Sequence, residues 1–461
     1  MEIITIDFET YYDQDYSLSK LSYEEYINDE RFEVIGVGVA RGTESPVFLL
    51  PDTFKRWLAQ INWSKAAILC HNTMFDGAIL AWKYGVKPAL WLDTLSMARA
   101  IHGLEVGNSL SKMASYYSLG QKGTEVVNAK GKHQVDFGAE ELRAYGNYCK
   151  NDVALTYRLF YKLKEFFNGG ELRLIVMHIR MFTEPRLVLD KDMLEQHYDA
   201  EIARIGALLA RLNTTLEDLN SNDKFAGLLQ GLGIDPPTKI SGRTKKTIWA
   251  FAKTDIGFQE LCNSDNETIA TLCEARLAAK STQARTRSKR LLDISLRNEY
   301  LPVPLSYFAA HTGRTQATRG QGINMQNMKR GSTLRGAIQA PPGYVLGVAD
   351  LKQIEPRVLA WLAGDQRMLD ILLEDDPYAL FGADMFGIPG MTKDTHPALR
   401  QSAKSALLGA GYGLGHISFA AQLLTGFMGA NPVRYDMDFI KQLGYDGDYV
   451  FGLMQERAWV D

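Results

Sequence analysis

"IITIDFET" (Ile3–Thr10) is a β-branched apolar run near the start of the chain, and this pattern predicts a buried strand. The run nevertheless carries two carboxylates, Asp7 and Glu9, two residues apart. Side chains at i and i+2 point to the same face of a strand, so both carboxylates project together. Two like charges in a partly apolar setting are costly unless a cation joins them, and hard ions such as Mg²⁺ prefer carboxylate oxygens. The stretch therefore predicts a strand that presents a metal-binding pair.

Two further segments supply carboxylates with informative spacing. "HNTMFD" places Asp76 just after the predicted buried strand "AAILCHN", with Asn72 four residues earlier, and "YCKND" places Tyr148 and Asp152 on one face of a long helix. We expect a cage for two divalent ions, which activates water in phosphodiester cleavage, with Tyr148 orienting that water. The four expected ligands are Asp7, Glu9, Asp76 and Asp152. Each segment alone also fits a solvated edge strand, an N-cap or a chance spacing, and the order of all three favours the nuclease interpretation.

The composition is that of an ordinary soluble globular protein. The 461 residues favour two to three domains, 46% are hydrophobic and 23% charged, and the net charge of −3 does not indicate a nucleic-acid binder. The sequence has no transmembrane stretch and no signal-peptide layout. The four scattered cysteines argue for free thiols in a reducing compartment and against structural zinc. We expect a cytoplasmic protein.

The pattern of elements divides the chain into three regions. Alternating strands and helices over residues 1–168 predict an α/β domain, and "NGG" (Asn168–Gly170) marks its boundary. Residues 169–300 are predicted to be mostly helical. Residues 301–461 form the third region, in which "GYVLGVADL" is predicted to be a strand and "PRVLAWLAG" and "PALRQSAKSALLGAGYGL" helices.

The third region carries a second set of chemically suggestive residues. The predicted strand delivers Asp350 at its C-terminal end, and Glu355 and Arg357 follow within two turns. One helical face further on carries residues at intervals of four, namely Arg400, Lys404, Leu408 and Tyr412. Two cations, an apolar contact and a phenol suit a polyphosphate beside a stacked base. Taken singly, these segments also fit an acidic N-cap and a solvent-facing cationic helix.

The first constellation resembles the DEDD-type 3′–5′ proofreading exonucleases, which have the ribonuclease H-like fold. Their three motifs are matched by "DFE" at 7–9, "NTMFD" at 72–76 and "YCKND" at 148–152. The resemblance implies that the four carboxylates bind metal ions and that Tyr148 positions water, as in the tyrosine-bearing subtype.

The second constellation resembles family A DNA polymerases, which include phage replicative enzymes. "DLKQIEPR" is similar to the first palm motif, which implies that Asp350 binds the catalytic Mg²⁺ or Mn²⁺ ions and that Glu355 is a steric gate against ribonucleotides. "RxxxKxxxxxxxYG" is similar to the fingers motif, so Arg400 and Lys404 would contact the incoming dNTP and Tyr412 would lie near the template base.

The same resemblance implies contacts with primer-template DNA. "TGRTQATRGQGINMQNMKRGSTLRGAIQAPPGY" is similar to the palm entry, and it suggests DNA contacts by Arg314, Gln326 and Asn327. The interval 239–290 carries 11 Lys and Arg against 5 Asp and Glu. Within it, "KSTQARTRSKR" has the character of a thumb helix that follows the duplex backbone, although most basic runs are solvated faces. The expected phosphate contacts are Lys280, Arg285, Arg287 and Lys289, and "TKISGRTKKT" (Thr238–Thr247) is a candidate thumb tip.

Three departures from the family pattern affect the expected activity. Leu408 stands where the family has Phe or Tyr, Tyr378 stands where a histidine often reaches the triphosphate, and no His-Asp-Glu motif follows in the 57 residues after Lys404. We therefore expect an α/β exonuclease domain, a mostly helical thumb and an incomplete α+β palm with fingers. The predicted function is a family A polymerase with a complete proofreading site and an incomplete polymerase site. The alternatives are a DNA-binding 3′–5′ exonuclease without polymerase activity, or half of a split polymerase whose second polypeptide supplies the rest of the palm.

Overall fold

A computed structural model of the chain describes residues 1–103, 105–123, 129–241, 244–252, 255–280, 283–415, 418–419, 422–423 and 433. The polypeptide divides into two compact units, and the second comprises residues 254–256 and the chain from Gly347 onward. The predicted exonuclease region and, apart from residues 254–256, the predicted helical region lie in the first unit. The predicted boundaries at residues 168 and 300 stay predictions, and the last part of the predicted palm and fingers region lies outside the described residues.

A mixed five-stranded sheet forms the centre of the N-terminal region. Its strands are β1 (Glu2–Thr10), β2 (Val34–Arg41), β3 (Val47–Leu49), β4 (Ala66–Cys70) and β5 (Leu90–Asp93), in the order β3-β2-β1-β4-β5. β1 pairs antiparallel with β2 and parallel with β4, while β4 and β5 are parallel. This α/β architecture agrees with the prediction for the region, and β1 and β4 coincide with the predicted strands "IITIDFET" and "AAILCHN".

Seven helices surround this sheet. They are α1 (Tyr23–Asn28), α2 (Pro51–Leu58), α3 (Thr73–Tyr84), α4 (Thr94–His102), α5 (Leu110–Tyr116), α6 (Ala139–Leu163) and α7 (Gly169–Thr183). The long helix α6 packs on β1, β2 and β4, and α3 and α7 pack on β4 or β5. The core between these layers contains Ile4, Ile6 and Phe8 of β1 and the fully buried Trp91 of β5. Asn168 caps α7 by accepting hydrogen bonds from Gly170 N and Glu171 N, so "NGG" separates α6 from α7.

The rest of the first unit is mostly helical up to Arg297, as the sequence predicts for residues 169–300. Its helices are α8 (Lys191–Arg211), α9 (Leu216–Asn220), α10 (Asn222–Gly231), α11 (Ile256–Cys262), α12 (Glu267–Lys280), α13 (Gln283–Arg297) and α14 (Thr333–Gly336). Short antiparallel pairs join β6 (Val188–Leu189) to β11 (Ile338–Gln339), β7 (Thr238–Ile240) to β8 (Thr247–Trp249), and β9 (Leu305–Ser306) to β10 (Gln316–Ala317). The candidate thumb tip thus falls on the β7–β8 hairpin, and residues 242–243 of it lie outside the described residues.

The described part of the second unit contains four helices: α15 (Ile354–Ala363), α16 (Gln366–Leu373), α17 (Pro377–Phe386) and α18 (Pro397–Ala410). α17 packs on α18, and α15 packs on α16. The four cysteines of the chain form no disulfide in the structure, and Cys70, Cys149 and Cys273 are buried. Among the described residues, every helix is too short or too polar to cross a membrane.

Candidate active site

The alternation of side chains along β1 places its two carboxylates on one face of the sheet. Two glycines on β2 leave space above that face. Ile4, Ile6 and Phe8 point into the core, so Asp7 and Glu9 point to the opposite face. In the antiparallel register, Asp7 lies opposite Gly38 and Glu9 lies opposite Gly36. A Cβ on Gly38 would lie 2.8 Å from the Cys149 sulfur of α6. The glycine therefore allows α6 to pack closely over the two carboxylates.

Helix α6 packs over this face of β1 and presents a row of polar side chains to it. Tyr145, Tyr148, Cys149 and Asp152 recur at i, i+3, i+4 and i+7, so they line one side of the helix. The Tyr145 hydroxyl donates to Glu9 Oε2 at 2.6 Å, and the Cys149 thiol lies 3.6 Å from Asp7 Oδ2. Asp152 is only 2% exposed. The predicted pairing of the Asp-x-Glu strand with the Tyr-x-x-x-Asp helix thus has a geometric basis.

Asp76 reaches the same place because β1 extends past the end of β4. Their pairing stops at Thr5 and Leu69, which leaves the Phe8 amide outside that ladder. Asp76, in the first turn of α3, accepts a hydrogen bond from this Phe8 amide at 3.0 Å. The third carboxylate is therefore fixed beside the first two by the backbone of β1.

Asn72 shapes the turn that delivers Asp76. It adopts a left-handed conformation with φ of 82°, which asparagine tolerates better than most residues. Asn72 occupies the N-cap position of α3 without a side-chain cap bond, and its Nδ2 donates to the Tyr23 hydroxyl at 3.0 Å. Its backbone amide donates to Asp93 Oδ1 at 2.8 Å. Asp93 and Tyr23 thus stabilise the turn.

The electrostatics of this pocket favour a bound cation. Burial, and then the charge of Asp152, raises the pKa of Asp7 to about 7. Burial and the charge of Asp7 also raise the pKa values of Glu9 and Asp76 well above their ordinary range. Because each carboxylate disfavours ionisation of its neighbours, a divalent ion would relieve the repulsion.

The donor set fits a divalent ion. Ligand atoms of Asp7, Glu9 and Cys149 lie within 4.8 Å of one another, close enough to share one ion. Two of these three donors are carboxylates, the class of ligand preferred by Mg²⁺ and Mn²⁺. The chain can thus hold a metal ion here.

Lys122 is a component of the pocket that the sequence prediction missed. Its ammonium forms an ion pair with Asp152 Oδ2 and lies 5.1 Å from the centre of the Tyr148 ring. Although burial opposes the charged form, the charge of Asp152 raises the pKa of Lys122 above its ordinary value. Lys122 therefore places a fixed positive charge among the carboxylates.

The segment around Asp350 corrects the sequence prediction. "GYVLGVADL" forms no strand: residues 345–350 lack regular structure, and Val345 is 92% exposed. A strand needs a hydrogen-bonded neighbour, and the described residues provide none for this segment. Asp350 is therefore exposed rather than delivered by a strand end, although α15 does follow at Ile354.

Three predicted nucleotide-site residues line one cavity in the second unit. Glu355, Leu408 and Tyr412 border a cavity of about 360 Å³ between α15 and α18. The predicted helix over residues 397–414 was too long, since α18 ends at Ala410. Glycines at 409, 411 and 413 weaken the helix there, and Gly413 has φ of 70°, so Tyr412 lies beyond the helix and is 68% exposed.

Arg400 and Lys404, the two predicted triphosphate contacts, both lie near the ring of Tyr378. Arg400 and Lys404 lie 5.5 Å and 5.6 Å from the centre of the Tyr378 ring, and Arg400 Nε forms an ion pair with Asp376 at 2.6 Å. Arg357 instead donates to the backbone carbonyls of Lys352 and Leu372, which gives it a structural contact within the second unit.

The predicted DNA contacts of the first unit are mostly on its surface. Lys280, Lys289, Arg314, Gln326 and Asn327 are exposed, while Arg285 and Arg287 are half-buried. Arg287 Nη1 donates to the Asn327 carbonyl at 3.2 Å, so the basic helix and the palm-entry segment are in contact.

Arg290, the last cation of the basic run, has a different environment. It is buried and forms ion pairs with Glu24 at 3.1 Å and Glu25 at 2.5 Å. Arg297 also bonds Glu24, at 2.9 Å. These contacts attach α13 to α1, so Arg290 belongs to the packing of the first unit.

Two of the missed residues differ in how visible they are in the sequence. Tyr145 lies one turn before Tyr148 and Cys149 on the same helical face, so extending the row backwards would have found it. Lys122 stands in "LGQKG", a loop that carries no periodic pattern, and only tertiary structure brings it to Asp152.

Sequence comparison with protein families identifies two regions. A model of DNA polymerase family A matches residues 191–434, which is more than half of the chain, and a model of 3′–5′ exonucleases matches residues 49–167. The second match includes Asp76, Tyr148 and Asp152, whereas "DFE" lies before it.

Curated relatives and a solved structure agree with these matches. DNA polymerase I of Pseudomonas aeruginosa is 26% identical over 323 residues (65% of this chain, 33% of the relative), and that of Chloroflexus aurantiacus is 26% identical over 376 residues (77% and 38%). The chain thus spans about a third of the length of these relatives. The POL domain of Pol1 from M. smegmatis, in a complex with DNA primer-template and dNTP, has a similar fold, with a TM-score of 0.59 and 18% identity over 92% of this chain and 69% of that one.

Proposed function

Because the chain belongs to DNA polymerase family A, we propose that it is a template-directed DNA polymerase with a 3′–5′ proofreading exonuclease. The observation that supports the exonuclease most strongly is the cluster of Asp7 and Glu9 of β1 with Cys149 of α6, beside which Asp76 of α3 accepts a hydrogen bond from the Phe8 amide. Its substrate would be the 3′ end of a primer, and its product a shortened primer with a released nucleotide.

The side chains of this pocket suggest a division of labour. Asp7, Glu9, Asp76 and Asp152 would hold Mg²⁺ or Mn²⁺, with enough carboxylates for two ions. The bound ions would supply Lewis acidity for attack of water on the terminal phosphodiester. Tyr148 would orient the water, and Tyr145 would fix the orientation of Glu9 through its hydrogen bond.

The polymerase reaction would use residues of the second unit. Asp350 would hold the catalytic ions, Glu355 would exclude ribonucleotides, and Arg400 and Lys404 would bind the dNTP triphosphate. Leu408 and Tyr412 would border the nucleotide, which is supported by their shared cavity with Glu355. The surface residues of the first unit would bind primer-template DNA, namely Arg314, Gln326, Asn327, Lys280 and Arg285.

We further propose that a second polypeptide completes the palm. The described part of the second unit exposes large apolar side chains, including Trp361 at 69% and Leu362 at 70%. Large apolar side chains exposed in this way are often covered by another protein segment. The exposed position of Asp350 also favours the narrower alternative, in which this chain binds DNA and degrades it without extending it.

The exonuclease assignment is tested by removing the paired carboxylates of β1. In Asp7→Ala with Glu9→Ala, we expect Mg²⁺-dependent shortening of a primer with a 3′ tail to fall at least about 10³-fold, because the ion site loses two ligands. Binding of duplex DNA should survive. The matched control is Glu44→Ala with Asp52→Ala, which removes two exposed carboxylates of the same unit. Nuclease activity retained in the Asp7/Glu9 variant would overturn the assignment.

Side-by-side measurement of primer extension and primer degradation distinguishes the polymerase from the narrower alternative. Extension on addition of dNTPs would support the polymerase. Degradation that continues unchanged with dNTPs present would support the exonuclease alternative for this chain.

A further inference from the structure

A short strap holds Lys122 in place beside the nuclease pocket. Residues 119–122 follow α5, and α6 binds the backbone of this strap twice. Arg158 Nη1 donates to the Leu119 carbonyl and Asn151 Nδ2 donates to the Gln121 carbonyl, both at 2.8 Å. Because Asn151 and Arg158 lie seven residues apart on α6, they fix the strap in register along the helix. Lys122 is the next residue of the strap, and its partner Asp152 lies on α6 itself. The two hydrogen bonds between the strap and α6 therefore hold Lys122 close to Asp152.

The ion pair of Lys122 differs from an ordinary surface pair. The Lys122 and Asp152 side chains are 28% and 3% exposed, whereas those of the nearby pair Lys132–Glu141 are 35% and 39% exposed. Exposed ion pairs are weak because water screens them, and pairs with a buried partner are screened less. Displacing the Lys122 ammonium therefore requires another cation at the buried Asp152 carboxylate.

The charges in the pocket are distributed unevenly. Ligand atoms of Asp7, Glu9 and Cys149 lie within 4.8 Å of one another, whereas Asp152 forms an ion pair with the Lys122 ammonium. A divalent ion can join Asp7 and Glu9 without moving Lys122. An ion that takes Asp152 Oδ2 as a ligand must displace the Lys122 ammonium, because Lys122 bonds that same oxygen.

We propose that Lys122 is a positioning residue that acts as a tethered counter-cation for Asp152. It neutralises Asp152 and competes with a divalent ion for that carboxylate, so the Asp7–Glu9 side is loaded first. Asp152 offers its Oδ2 atom to a metal ion only when Lys122 withdraws. This inference rests on the proposed nuclease function. It adds that Lys122 limits the number of divalent ions that the pocket binds.

Counting Mn²⁺ ions bound to the full chain without DNA tests the inference. Calorimetric titration and electron paramagnetic resonance should count one bound Mn²⁺ for the unmodified protein and two for Lys122→Met. The dissociation constant for the second Mn²⁺ should be at least about tenfold lower in the variant than in the parent, which binds a second ion only weakly. Lys122→Gln keeps a hydrogen-bond donor near Asp152 but removes the charge, so it should show the same gain. The matched control is Lys132→Met, which removes an exposed ion pair to the same helix and should bind as the parent does.

The outcomes separate this inference from the function on which it rests. An unchanged Mn²⁺ count and affinity in both Lys122 variants, with the parent still degrading DNA, would overturn the role of Lys122 alone. Absence of Mn²⁺ binding in the parent protein would overturn the nuclease site and this inference together. A loss of Mn²⁺ affinity in both folded variants, checked by their thermal unfolding, would show that Lys122 supports the metal site rather than competing with it.

Discussion

The two acidic regions of this chain differ in how their carboxylates are held. Asp7 and Asp76 are fixed by a sheet strand, a helix turn and the hydrogen bond from Phe8. Asp350 lies in an exposed segment without regular structure. A carboxylate pocket is therefore built where the local fold supplies backbone partners, and a sequence motif alone does not build one. The predictions below test how far this difference between the regions extends.

The largest expected contrast concerns packing. Trp91→Ala should lower the free energy of unfolding by about 3–5 kcal/mol, because Trp91 is fully buried and its Nε1 donates to Glu184 Oε1 at 2.7 Å. Trp361→Ala removes the same side chain from an exposed position of α15 and should change the stability by no more than about 0.5 kcal/mol. Urea denaturation followed by circular dichroism measures both changes. A large loss in Trp361→Ala would show that α15 is packed more tightly than its exposure indicates.

The second contrast is a dependence of stability on pH that only the buried pocket should show. The pKa of Asp7 is raised to about 7 in the folded chain from an ordinary value of 3.8, so the folded state binds more protons than the unfolded state between these limits. Stability without divalent ions should therefore fall as the pH rises through this window, by on the order of 2 kcal/mol because Asp7 shares protons with its neighbours. Unfolding in urea with EDTA at pH 5 and pH 8 measures the fall, and excess Mg²⁺ should reverse it at pH 8.

The Asp7→Asn variant isolates this contribution. Burial lowers the pKa of His71 to about 4, so His71 alone makes the protein less stable as the pH falls below about 6.5. The difference between the parent and Asp7→Asn cancels that opposite trend. If this difference does not change between pH 5 and pH 8, Asp7 has no raised pKa in the folded protein.

The sequence predicts the first pocket well because its signals are local. The strand alternation gives the common face of Asp7 and Glu9, and the i, i+4 spacing gives the common face of Tyr148 and Asp152. The roles of these residues stay predictions until activity is measured. What could not be predicted depends on distant contacts: Lys122 reaches Asp152 through the packing of a loop on α6.

Local sequence patterns gave wrong structural predictions in the second acidic region. "GYVLGVADL" has the apolar alternation of a strand, but a strand forms only with a hydrogen-bonded neighbour, which the described residues do not provide. The helix prediction near Tyr412 failed for a local reason, because three glycines outweigh the apolar periodicity that precedes them. Burial of Arg290 could not be predicted from a basic run, since its partners Glu24 and Glu25 lie far away in the sequence.

A third contrast tests the support of the carboxylates. In Tyr145→Phe, Glu9 loses the 2.6 Å hydrogen bond that orients it, and we expect Mn²⁺ affinity and nuclease rate to fall about tenfold, the range typical for such supporting residues. Tyr161→Phe, an exposed position of the same helix, is the matched control and should leave both unchanged. Equal behaviour of the two variants would mean that the phenol of Tyr145 does not orient Glu9.

The smallest expected effect is the absence of nuclease loss when the other acidic region is changed. Asp350→Asn should keep the rate of Mg²⁺-dependent primer degradation within about twofold of the parent and its stability within about 0.5 kcal/mol, because an exposed carboxylate outside regular structure holds no partner in place. Asp76→Asn is the matched change in the nuclease pocket, where the same substitution removes a carboxylate that the Phe8 amide holds in place. It should slow degradation by more than about 10²-fold. A comparable loss in Asp350→Asn would mean that the two regions act as one site, and the separation of degradation from extension would then have to be abandoned.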